Sequence, residues 1–207
     1  MTYPEQITTI DNFFETSYKE RGSIFIGQVF HCETENDAND ILTKTRKKFY
    51  DATHRCYACK FTNGQFNYSD DGEPKGTAGV RIFNAIEHFN LFNVLVVVIR
   101  YFGGAKLGAG PLGRAYYTSA FNVLEGSEKI KKYLYKKVLI ESDFKYISHI
   151  HRILSNHHAI IDASDYEDKA NFECFVKPAD LNQITDQLTT ISKGEIQITI
   201  TKANCYK

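Results

Sequence analysis

The sequence predicts an α+β chain of two domains, and three observations carry that reading. A wholly apolar run, Val94 to Ile99, lies among segments of mixed strand and helix pattern, as expected of a central strand covered on both faces. A Lys-rich stretch, Glu128 to Lys137, breaks the pattern. Beyond it the cycle shortens to strand, helix, strand, strand, helix, strand, which is the ferredoxin-like order. The expected domains are therefore 1–130 and 131–207, and 207 residues with 43% hydrophobic content are enough to fill two cores.

In chain order, residues 13–32 alternate polar and apolar across Arg21-Gly22, which predicts a strand pair. Thr34 with Asp37 has the spacing of a capping box, and Ala38, Ile41, Leu42, Thr45 and Phe49 then repeat on one helical face. Residues 54–61 and 65–68 suit strands, and Asn63-Gly64 between them predicts a two-residue hairpin turn. A helix over 77–89 stops at Asn90, and another runs from about Pro111 to Leu124. In the second domain the expected elements are a strand over 136–144, a helix over 147–157 and a hairpin of 159–166 with 171–176. A helix capped by Asp180 and ended by Gly194 follows, then a strand carrying Ile196, Ile198 and Ile200.

Twenty-five basic residues balance twenty-five acidic ones, so attraction for phosphate must come from local clustering. The N-terminus shows no apolar export signal, and Val94–Ile99 is too short to cross a bilayer. Five cysteines without a signal peptide favour reduced thiols in a cytoplasmic compartment. Cys56 and Cys59 have metal or redox spacing, but in a strand positions i and i+3 face opposite sides, which favours packing roles. His149, His151, His157 and His158 lie at no ligand spacing and read as surface or helix-end residues.

Two segments carry the candidate chemistry. In Ser69–Gly79, the carboxylates Asp70, Asp71 and Glu73 are either a solvated turn or a possible metal or partner contact, and Thr77 opens a helix whose N–H groups suit an anion. In Arg100–Tyr116, the buried strand runs into Gly103, Gly104 and Gly108 before a helix starts. Lys106 and Arg114 stand beside that connection, and no acidic residue occurs between Glu87 and Glu125. Backbone N–H groups, cations and interleaved rings (Tyr101, Phe102, Tyr116, Tyr117) suit an RNA surface; the alternative is that the glycines serve tight packing and the rings are core. Neither a P-loop nor a Rossmann fingerprint is present, and no cofactor or resident metal is expected.

The strings DATHRCYAC, SDDGEPKGTAG and NVLVVVIRYFGGAKLGAGPLGRAY resemble the IMPACT/YigZ family, closely over residues 18–125 and more loosely over 136–202. The resemblance implies a ribosomal protein S5 domain 2-like N-terminal domain. It also implies a ferredoxin-like C-terminal domain similar to those of elongation factor G. Eukaryotic members of this family regulate translation, so RNA, the ribosome or a translation-regulatory protein is the implied partner. Carried over by motif, the family surface is His54, Asp70, Asp71, Glu73, Thr77, Arg100, Lys106 and Arg114. With Arg55, Tyr101, Gly103, Gly104, Gly108 and Tyr116 added from the residues themselves, the expected site binds nucleic acid or an anion. No nucleophile and base stand at a readable spacing, which points away from an enzyme. The alternative is a divalent-metal-dependent phosphate-handling hydrolase built on Asp70, Asp71 and Glu73.

Overall fold

The protein is described from a computed structural model covering residues 3–207. It divides into two compact units, Met1–Lys131 and Lys132–Lys207. The first contains β1 (Gln6–Ile10), β2 (Phe14–Glu20), β3 (Ser23–His31), α1 (Glu35–Lys48), β4 (His54–Lys60) and β5 (Phe66–Ser69). These are followed by α2 (Gly79–His88), β6 (Val94–Tyr101) and α3 (Ala109–Gly126). The main sheet has the order β2-β3-β6-β4-β5, with every pair antiparallel.

The apolar run of β6 has a direct physical reason. Val94, Val96 and Val98 pack on one face with Ile82, Ala85 and Ile86 of α2 and with Leu112, Ala115 and Tyr116 of α3. Leu95, Val97 and Ile99 face the other way, toward Ala38 and Leu42 of α1. A strand with helices on both faces has no polar side to present, and each of these β6 residues is fully buried. Each such side chain contributes roughly 1.5–3 kcal/mol of burial.

Local signals behave as expected at the start of α1. The Thr34 hydroxyl accepts from Asp37 N–H at 3.1 Å, and the Asp37 carboxylate accepts from Thr34 N–H at 2.9 Å. The β4–β5 connection differs from expectation. Gly64 N–H donates to Phe61 O and Phe61 N–H to Gln65 O, and only Gly64 of the Asn-Gly pair has a positive φ, 80°. The loop therefore has three residues, Thr62 to Gly64, with glycine in the left-handed position of a bulge, and not the mirror-image two-residue turn.

The second unit continues from β7 (Lys129–Ser142) through a short 3-10 turn (Phe144–Tyr146), α4 (Ile147–Asn156), β8 (Ile160–Asp165), β9 (Ala170–Val176) and α5 (Leu181–Ser192) to β10 (Gln197–Tyr206). Its strands are ordered β10-β7-β9-β8, all antiparallel, so the ferredoxin-like arrangement is present. Ile150, Ile153 and Leu154 of α4 and Leu181, Ile184 and Leu188 of α5 cover one face. β7 starts well before the expected residue 136 because its leading residues pair with the distant end of the chain. Tyr135 sits opposite Cys205 and Leu134 opposite Tyr206. Asp180 precedes α5 but makes no side-chain cap; its carboxylate lies 3.6 Å from His157 Nδ1 instead. No helix among the described residues is long and apolar enough to cross a membrane.

Candidate nucleic-acid interface

The period-two alternation of strands divides the expected site residues between two faces of the first sheet. His54, Cys56 and Arg100 point to the α2/α3 side, while Arg55, Cys59 and Tyr101 point to the α1 side. They do not form one surface. On the α1 side, Arg55 donates to the carbonyls of Phe49 and Tyr50 at the end of α1, and Tyr101 donates to Asp51 at 2.9 Å. Burial, followed by the bond to Asp51, raises the Tyr101 phenol above its ordinary value.

On the α2/α3 side two of the expected contacts are buried and bonded within the fold. Arg100 is 5% exposed. Its Nη1 donates to Glu73 Oε1 at 2.6 Å and its Nη2 to Ser23 Oγ at 3.3 Å. Tyr116 is fully buried and donates to the same Glu73 oxygen at 2.8 Å. Burial strongly raises its phenol, so it stays protonated and acts as a fixed donor. His54 completes the cluster, with Nδ1–H donating to Asp71 O at 2.8 Å and Nε2 lying 3.7 Å from Glu73 Oε2. Glu73 is thus a buried hub between a guanidinium, a phenol and an imidazole, and it holds Arg100 and Tyr116 in internal bonds.

The acidic loop is equally committed. The Asp70 carboxylate accepts from Gly76 N–H at 2.8 Å, Ala78 N–H at 3.0 Å and Gly79 N–H at 2.8 Å. Burial pushes its pKa up, but these three bonds outweigh it and leave the value lowered. Asp70 therefore fills the N-terminus of α2 that Thr77 was expected to offer to an anion. Thr77 itself is buried and donates to Pro74 O at 2.6 Å. Asp71 Oδ2 accepts from Arg55 N–H at 2.7 Å. The three carboxylates point to three different sets of partners. Among the described residues no three metal-ligating side chains converge.

Three cations without a partner among the described residues lie beyond this cluster. Phe102 N–H donates to Thr53 Oγ1 and Gly103 N–H to Ser23 Oγ, which pins the root of the connection after β6. A Cβ on Gly103 would stand 1.9 Å from the Gly22 carbonyl carbon, so only glycine lets this loop cross the β2–β3 turn. Gly104 and Gly108 take φ of 89° and 79°, and Gly108 precedes α3 with no side-chain cap on that helix. Lys106 and Arg114 are exposed, and neither has a hydrogen-bond or ion-pair partner among the described residues. Arg81 on α2 is exposed and unpaired in the same way. It escaped the sequence reading because only the packing of α2 on α3 brings it beside Arg114.

The fold and these motifs define a two-part α+β protein of the IMPACT type. Residues 21–124 match the Impact N-terminal domain, and residues 140–195 match a domain described only as a domain of unknown function, DUF1949. The chain belongs to the IMPACT family. It is similar to the IMPACT family member YvyE of Bacillus subtilis, with 31% identity over 180 residues covering 85% of this chain and 82% of that one. A Saccharomyces cerevisiae protein IMPACT homolog matches at 34% identity, over 43% of this chain and 36% of its own length. A crystal structure of a protein described as hypothetical superposes with a TM-score of 0.71 over 96% of this chain and 98% of its own; at 24% identity it supports the fold alone.

Proposed function

We propose that this chain is a non-catalytic binding protein that acts in translation or its regulation and grips RNA phosphates on the face carrying Lys106, Arg114 and Arg81. The observation that carries this reading is the contrast within one patch of sequence. The carboxylates and Arg100 are consumed by internal bonds, while three cations at the glycine-rich connection and the α2/α3 surface have no partner among the described residues. Unpaired cations beside a backbone that approaches closely are what phosphate contacts need. Family membership supports the translation setting, since the eukaryotic members it resembles are translation regulators. A hydrolase on Asp70, Asp71 and Glu73 receives no support, because those groups hold the fold.

The test is titration of single-stranded RNA into wild type and a Lys106→Glu, Arg114→Glu double variant. The reading expects salt-sensitive binding that weakens by at least about tenfold in the variant. Equal affinities, or no binding by either protein, would remove it.

A further inference from the structure

A cleft of about 530 Å³ lies between α2 and α3, within the size range of small-molecule sites. Helical spacing builds it. Arg81 and Asn84 sit three apart on α2; Gly113, Arg114, Tyr117 and Thr118 supply the facing rows of α3. Among the described residues no acidic side chain lines it. Two guanidiniums reach it from different helices, and neither has a partner among the described residues. Gly113 makes the room: a Cβ there would lie 3.3 Å from Arg81 Nε. Tyr117 is half-buried and braced by Phe121, ring centroids 6.0 Å apart at 32°.

Two guanidiniums lining one cleft without a counter-ion among the described residues favour an anion there, and guanidinium forks suit phosphate oxygens. The remaining lining suits what a phosphate is attached to in a nucleotide, namely a ring surface on Tyr117 and hydrogen-bonding groups on Asn84 and Thr118. From this geometry we infer that the α2/α3 cleft is a discrete pocket for one phosphorylated nucleoside unit, either a free mononucleotide or the phosphorylated end of an RNA. The second source rests on the RNA reading above; the first does not.

The experiment titrates the full chain with adenosine 5′-monophosphate, with adenosine, and with oligoadenylate carrying either a 5′-phosphate or a 5′-hydroxyl. Wild type is expected to bind the monophosphate saturably and at least about tenfold more tightly than adenosine. Arg81→Gln with Arg114→Gln is expected to weaken it about tenfold or more. Asn84→Leu with Thr118→Leu leaves net charge unchanged, so it is expected to weaken the monophosphate about fivefold while leaving salt-sensitive affinity for the 5′-hydroxyl oligomer, which places no terminal phosphate in the cleft, within about twofold. Circular dichroism melts matching wild type establish that both variants fold. A preference for the 5′-phosphorylated oligomer identifies an RNA end as the source; equal binding of the two oligomers identifies free nucleotide. No saturable monophosphate binding, or binding indifferent to both variants, overturns the pocket even where RNA still binds. Monophosphate binding without any RNA binding upholds the pocket and removes the RNA reading.

Discussion

Replacing Glu73 with leucine leaves the Arg100 guanidinium buried without its counter-ion. The two side chains are 6% and 4% exposed, and they meet at 2.6 Å. What remains around Arg100 is Ser23 Oγ at 3.3 Å and the rings of Phe25 and Phe102, 5.4 and 5.6 Å from the guanidinium carbon. Breaking such a pair from one side costs about 3–5 kcal/mol, and the Tyr116 hydroxyl loses its acceptor for about 1 kcal/mol more. For a chain of this size that is a fall in Tm of roughly 10–20 °C. The double change Glu73→Leu with Arg100→Met removes both charges, so it is expected to be milder than Glu73→Leu alone. Urea unfolding of the two single variants and the double variant measures the coupling. A Glu73→Leu cost under about 1 kcal/mol, or a double variant whose cost equals the sum of the singles, would refute the buried-hub account.

Four further outcomes follow from the structure. Asp70→Ala removes the acceptor of the Ala78 and Gly79 N–H groups at the start of α2 and of Gly76 N–H in the loop before it, and is expected to cost about 1–2 kcal/mol near neutral pH. Because the folded pKa of Asp70 is lowered from 3.8, its contribution is present above that ordinary value and lost as pH falls through the folded one. The gap from wild type in urea unfolding should therefore close in acid. Gly103→Ala drives a methyl into the Gly22 carbonyl and is expected to cost at least about 2 kcal/mol. Gly64→Ala meets no neighbouring atom among the described residues and strains only a positive φ, so about 1 kcal/mol is expected in the same urea unfolding. Cys32, Cys56, Cys59 and Cys174 are buried and Cys205 is partly exposed. Burial pushes the Cys32 thiol up to about 12, and timed thiol labelling of native protein should mark Cys205 first and the other four only on unfolding.

Much of the fold was readable because its signals are local. The all-apolar β6, the Thr34–Asp37 box and the periodicity of α5 each state their environment in a few residues. Signals that depend on distant partners were not readable. The Lys-rich start of β7 looks like a linker until the last residues of β10 pair with it. Arg100 looks like a ligand contact because its neighbours Tyr101 and Gly103 are at the surface, yet strand alternation turns it inward to a glutamate 27 residues earlier. Tyr116 sits on the core face of α3 beside Phe25, with ring centroids 5.2 Å apart, a placement set by helix packing across the domain. Asp70 reads as a possible metal ligand until the chain folds Gly76 to Gly79 over it. Lys106 and Arg114 stand out by the lack of acid around them, whereas Arg81 becomes notable only once two helices pack.

The salt dependence of RNA binding tests the central claim most directly. If Lys106, Arg114 and Arg81 each neutralise one phosphate of a single strand, changing all three to glutamine lowers the slope of log affinity against log salt by about 2. The account predicts a wild-type slope steeper by about that amount, with both proteins showing the same circular dichroism melt. Identical slopes for the two proteins would contradict it.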